Sequence, residues 1–172
     1  MDVSTEAAAA NLGAGKYALA LEQACIRFGI VTALQKAHFL AQVAHESDGF
    51  RTATEYASGR AYEGRKDLGN TQPGDGVRFK GRGLIQLTGR ANYHEYSHAM
   101  YGDDRCVRSP AMVAELPDAA LAAGWYWQSR RLNVLADKDD IRAVTKRING
   151  GYNGLADRQR YLDKAKAFWG LS

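Results

Sequence analysis

Residues 38–55, HFLAQVAHESDGFRTATE, put His45 and Glu46 at the end of an apolar helical run and a second carboxylate, Glu55, just beyond it. Two carboxylates on either side of a break in regular structure can share acid–base hydrolysis. One protonates a leaving oxygen and the other activates water, which is the minimum equipment for cutting a glycosidic bond. Thr32 followed by Gln35 is a capping-box pattern, so a helix is predicted through Leu34, Ala37, Leu40, Ala41 and Ala44 toward Gly49, with Glu46 in its last turn. There the negative end of the helix dipole and apolar neighbours both disfavour an ionised carboxylate, which suits a proton donor. Glu55 follows a polar stretch, RTAT, whose solvation suits a base. Glu63, in a turn-like context, is the rival base. His45 has two readings, a core histidine bonded to backbone or a partner that orients Glu46.

The elements that must position these groups are mainly helical. Tyr17, Leu21, Ala24, Cys25 and Phe28 fall at helical spacing and stop at Gly29. Pro117 opens a helix carrying Leu121, Trp125 and Leu132, with Gly124 admitting a close neighbour and Trp125 and Trp127 packing in the core. Asp140 caps a helix that ends at Gly150 and Gly151, which fixes Asn149, and a last helix runs from Leu155 to Trp169. Residues 57–79 are polar and broken by Gly59, Gly64, Gly69, Gly74, Gly76 and Pro73, so they are expected to form a long loop at the cleft. KGRGLIQLTG, residues 80–89, reads as a short strand between glycines, with Ile85 and Leu87 on one face and Leu84, Gln86 and Thr88 on the other. An amide and a hydroxyl then point the same way, toward sugar groups or a nucleophilic water.

FKGRGLIQLTGRANY, the upstream HES with Glu55, and the later INGGYNGLADR occur in the order found in glycoside hydrolase family nineteen, the chitinase-like group that includes many bacteriophage endolysins, and the chain resembles that family over residues 38–160. The resemblance implies a mainly α, lysozyme-like α+β single domain over residues 1–172, with a small β-sheet beside the catalytic cleft and no separate wall-binding domain. It implies Glu46 as general acid, Glu55 as general base and Thr88 as the residue that holds the attacking water. It further implies Gln86, Asn92 and Asn149 as sugar ligands, with His45 in the substrate site and Arg158 tuning the carboxylates. The activity implied is inverting hydrolysis of β-1,4 bonds in peptidoglycan by an endolysin, with chitin as the alternative substrate and no cofactor or metal. A domain that binds glycan without cutting it is the non-catalytic alternative.

One motif competes. His94-Glu95-Tyr96-Ser97-His98 fits the H-E-x-x-H pattern of zinc proteases, in which two histidines share a helix face, and Glu115 could serve as a third ligand. Composition bounds the remaining choices. With 172 residues, 45% hydrophobic and 24% charged, a single folded domain is expected, as a monomer. Net charge of +4 and a pI near 9.1 suit an anionic partner. The basic residues are dispersed and accompany no nucleic-acid-binding motif, so no nucleic-acid partner is expected. Arg158, Arg160, Lys164 and Lys166 opposite Leu162, Ala165 and Trp169 could give the last helix a weak contact with anionic membrane. Cys25 and Cys106 are expected to be buried free thiols. The N-terminus lacks the basic and apolar regions of a signal peptide, so synthesis in a host cytoplasm and release to the wall or periplasm through a membrane pore is the expected route.

Overall fold

The computed structural model describes residues 4–172. Among them the chain forms α1 (Thr5–Asn11), α2 (Ala18–Arg27), α3 (Ala33–Glu46), α4 (Asp75–Arg78), α5 (Arg90–Tyr101), α6 (Arg105–Arg108), α7 (Asp118–Ser129), α8 (Asn133–Ala136), α9 (Ile141–Asn149) and α10 (Leu155–Phe168), with short 3-10 turns between several of them. Helix starts follow the capping chemistry. Thr32 Oγ1 accepts from Gln35 N at 3.1 Å while Gln35 Oε1 accepts from Thr32 N at 3.2 Å, closing the box that opens α3. Asp140 accepts from Ala143 N to start α9, which stops at left-handed Gly150. α1 has no counterpart in the sequence pattern, because its four-alanine run lacks periodicity; Ser4 caps it through Ala7 N.

α3 is the central helix. Its residues from Ala37 to Ala44 are buried on every face, and α10 lies along it. Phe39 meets fully buried Trp127 edge-on, with ring centroids 5.4 Å apart. A second apolar cluster, around Phe79, Leu87, Tyr93, Tyr96, Cys106 and Trp125, supports the far wall of the cleft. α7 belongs to both clusters. A Cβ at Gly124 would lie 2.6 Å from the Phe28 ring, so glycine is what lets α2 and α7 approach. Both cysteines are buried, Cys25 in the first cluster and Cys106 in the second.

Among the described residues the expected small sheet is not seen. Thr54, Arg82 and Leu87 make only isolated antiparallel bridges. The reason lies in Gly83 (φ 77°) and Gln86 (φ 60°), whose left-handed backbone turns the chain back on itself, so that Arg82 and Leu87 exchange both backbone hydrogen bonds. Leu84, Ile85 and Leu87 are then all buried, which abolishes the two-faced alternation that the sequence suggests. The reversal is braced elsewhere. Gly83 N donates to Ala53 O, Glu55 N to Gly81 O, and Leu84 N to Ala119 O at the start of α7.

Residues 57–79 are built up from 3-10 turns at Arg60–Tyr62 and Lys66–Leu68 together with α4. Buried Asp75 receives two hydrogen bonds from the Arg90 guanidinium, at 2.8 and 2.9 Å. Buried Asn70 donates to Tyr62 O and accepts from Arg90 N. These bonds tie the stretch to the first turn of α5.

Candidate active site

Glu46 ends α3, as the capping pattern requires. It is set against a cation and not in the apolar pocket expected: Arg158 of α10 places Nη2 2.8 Å from Glu46 Oε1. Arg158 is 1% exposed, and its other donors go to Gln42 Oε1 at 2.5 Å and Asn153 O at 3.1 Å. Gln42 in turn donates to Thr145 of α9. Burial of an arginine at this depth requires such saturation. It also removes Arg158 from the solvated face of α10. Lys166 leaves that face as well, by pairing with Asp139 at 2.6 Å.

After Glu46 the chain takes an unusual course. Asp48, Gly49 and Phe50 have φ of 51°, 67° and 65°, three successive left-handed residues, two of which carry side chains. Ser47 holds the bend, since its hydroxyl donates to Val43 O and accepts from Phe50 N. Gly49 N closes onto Ala44 O at 2.7 Å. The chain then reaches Glu55, whose Oε2 accepts from Gly81 N at 2.7 Å, while its Oε1 is buried and makes no hydrogen bond. Gly81 is a point of convergence. A Cβ there would lie 2.6 Å from Glu55 Oε2, 2.9 Å from Gln86 Oε1 and 3.3 Å from Thr88 Oγ1. The tight turn therefore brings the amide, the hydroxyl and the carboxylate together. Thr88 donates its proton to Gln86 O at 2.9 Å, leaving its hydroxyl lone pairs as acceptors.

Glu46, Glu55, Gln86 and His45 line one cavity of about 360 Å³. An adjoining cavity of about 390 Å³ shares Glu46 and Gln86 with it and is walled by Thr88, Asn92 and Asn149. Each is in the size range of a small-molecule site, and together they make a cleft with Glu46 where the two cavities join and Glu55 in the first. Asn92 is held by Thr88 O and by Arg130, and Asn149 accepts from Asn153 N at the end of α9. His45 adopts neither of its two readings. Its Nδ1 is 2.7 Å from Asp157 Oδ2, and Asp157 also pairs with Arg160. Glu63 is exposed, and its carboxylate accepts from Gly74 N and Gly76 N in its own loop.

Sequence reasoning misses Tyr62, Arg65, Tyr126 and Arg130, which also line the cleft. Burial, then the charge of Glu55, pushes the Tyr62 phenol up. Burial also raises the Tyr126 phenol, with Arg130 opposing and Glu46 adding to the shift. No local motif marks these residues, because they come from a loop and from the end of α7. Asp157 had a signal, as the neighbour of Arg158 in the ADR stretch. His94 and His98 lie outside the cleft, on the exposed side of α5, and meet Asp104 and not Glu115.

Comparison with known proteins accords with this geometry. No protein-family model matches the chain. A glycosyl hydrolase family 19 domain-containing protein of Haemophilus influenzae is 32% identical over 161 residues, covering 76% of this chain and 78% of that protein. Among solved structures, a mutant of chitinase C superposes with a TM-score of 0.77 at 20% identity, covering 98% of this chain and 93% of that one. Chitinase C from Streptomyces griseus gives 0.72 at 22% identity (90% and 84% covered). A class IV chitinase from Zea mays gives 0.69 at 22% (90% and 80%). The fold is thus the mainly helical, lysozyme-like one that the motifs implied. The chain belongs to glycosyl hydrolase family 19 and is a glycoside hydrolase.

Proposed function

We propose that the protein is an endolysin that cuts β-1,4 glycosidic bonds of bacterial peptidoglycan by an inverting, single-displacement reaction. The observation that carries this is the asymmetry of the two carboxylates. Glu46 has one oxygen fixed by a buried guanidinium, which leaves Oε2 to carry a proton to the leaving oxygen. Glu55 has one oxygen on a backbone N–H and the other buried without a partner, beside Gln86 and Thr88. In the reaction Glu55 takes a proton from water held by Thr88. That water attacks the anomeric carbon from the face opposite the leaving group, and Glu46 protonates the departing oxygen. Gln86, Asn92, Asn149 and His45 hold the sugars. The commitment of Glu63 to Gly74 and Gly76 disfavours it as the base.

Arg130 at the cleft, whose guanidinium bonds Asn92 and Ser129 while Arg65 and Arg160 are paired with Asp67 and Asp157, favours a glycan with carboxylate substituents, as peptidoglycan has and chitin lacks. The solved relatives, all described as chitinases, favour chitin as the second reading. Release of reducing ends from purified peptidoglycan and from a soluble chitin, assayed in parallel, decides between them. A higher kcat/KM on peptidoglycan is expected, and turnover of chitin alone refutes the proposal. The delivery route proposed is synthesis in a host cytoplasm followed by release through a membrane pore.

A further inference from the structure

Away from the cleft, His94 and His98 stand four residues apart on α5, with ring centroids 4.3 Å apart. Both turn a nitrogen to the same atom. His94 Nδ1 is 2.9 Å and His98 Nε2 2.7 Å from Asp104 Oδ1, and one donor atom from each residue lies within 4.8 Å of the others. Asp104 comes from a different element, the turn that leads into α6, and that turn is fixed to α5 independently of the histidines. Fully buried Ser97, next to His98, donates to Asp103 O at 2.6 Å and accepts from Cys106 N at 3.0 Å. The neighbouring Asp103 is occupied by Arg105, which leaves Asp104 to the histidines.

We propose that His94, His98 and Asp104 form a binding site for one divalent transition-metal ion of the zinc class, which clasps α5 to the 103–108 turn. Two imidazole nitrogens and one carboxylate oxygen suit zinc, nickel or copper, whereas magnesium and calcium prefer all-oxygen shells. In a tetrahedral zinc site, with bonds near 2.0–2.2 Å, adjacent ligand atoms stand roughly 3.3 Å apart. Asp104 is already close to that distance from each histidine, and modest rotation of the two exposed rings supplies the rest. Binding would replace the hydrogens now shared with Asp104 by the metal. The three ligands leave an outward position for water. The cleft is lined by other residues, so the site stabilises the fold and takes no part in glycan hydrolysis.

The test is calorimetric titration of the untagged full-length protein with zinc chloride. One saturable site in the micromolar range is expected, and His98→Ala and Asp104→Asn should each weaken it at least tenfold. Glu95→Gln, which alters an adjacent non-ligand, should leave it unchanged. Zinc at tenfold to hundredfold excess over Kd should raise Tm by about 3–10 °C in the wild type and by less than 2 °C in the ligand variants. Because the ligands are exposed, the variants should melt with the wild type in chelator. The proposal is overturned by absence of saturable binding, or by equal binding to a His94→Ala/His98→Ala protein. Lasting loss of hydrolysis in chelator, reversed by zinc, would overturn its separation from the cleft.

Discussion

Gly81→Ala offers a sharp test of how Glu55, the proposed base, is held. Glycine 81 has no unusual backbone angle, so alanine fits the chain there, and the methyl group acts only through what it touches. Its nearest neighbours are Glu55 Oε2 at 2.6 Å and Gln86 Oε1 at 2.9 Å, both ends of flexible side chains. Contacts of a Cβ below 3.0 Å essentially do not occur and ordinary contact begins at 3.4 Å, so the Glu55 carboxylate must retreat by about 0.4–0.8 Å. A displacement of about 1 Å at a reacting group costs on the order of a hundredfold in rate, so kcat should fall roughly ten- to a hundredfold. Stability should hardly change. Weakening of the charged hydrogen bond from Gly81 N, worth about 1.5–3 kcal/mol when intact, is offset by the 0.4–1 kcal/mol gained when glycine is replaced. The net effect, about 1 kcal/mol, corresponds to a Tm shift of about 2–4 °C. The assay is reducing-end release at saturating substrate alongside a thermal melt. A variant that keeps kcat within threefold of the wild type while folding normally would show that Glu55 is not the base or that Gly81 does not place it.

Three further outcomes follow from the same contacts. Glu46→Gln should lower kcat by about 10²–10⁴-fold, while its amide oxygen keeps an acceptor for Arg158; wild-type turnover would refute the acid assignment. Arg158→Met should cost about 3–5 kcal/mol, a fall in Tm on the order of 10 °C by scanning calorimetry, because it strips a buried network of its cation and leaves Glu46 and Gln42 unpaired. Hydrogen bonds from Arg90 outweigh burial and hold the Asp75 carboxyl below the usual carboxylate range. Its stabilisation is therefore complete above the unfolded value near 3.9 and is lost as pH falls through the lower folded value. Denaturant midpoints of the wild type and Asp75→Asn should accordingly differ at pH 7 and converge in acid; a constant gap would contradict the pairing.

Local chemistry is what the sequence transmits well. Thr32 with Gln35, Asp140, Gly29 and Gly150 mark helix ends because a cap is a matter of three or four neighbouring residues, and the placement of Glu46 follows from them. Long-range partners do not show in this way. Arg158 is 112 residues from Glu46, and its spacing on α10 looks like that of any solvated arginine; the family resemblance, and no local pattern, is what points it to the carboxylates. The 80–89 stretch misleads for a related reason. Its alternation is that of a strand, but Gly83 and Gln86 adopt left-handed backbone, and tertiary burial of Leu84, Ile85 and Leu87 outweighs the period. Even so, Gln86 and Thr88 reach the same place beside Glu55, by a turn and not by a shared strand face. His45 shows the limit most plainly, since the sequence marks its partner, Asp157, only as the neighbour of Arg158, and the pairing itself arises when the helices meet.

In the proposed mechanism the left-handed run at Asp48, Gly49 and Phe50 bears on the stereochemistry of the product. Glu46 and Glu55, the proposed acid and base, are joined by residues 47–54, so their gap depends on one short spacer whose bend is held by Ser47. Each residue advances the chain by up to about 3.8 Å, while the carboxylate gaps that admit a water and those that force direct attack differ by as little as about 1–4 Å. The length of this spacer is therefore a stereochemical ruler. Removing one residue from it would shift the pair by about the interval that divides the two outcomes, whereas changes of length in the distant helices would leave the handedness of the product untouched.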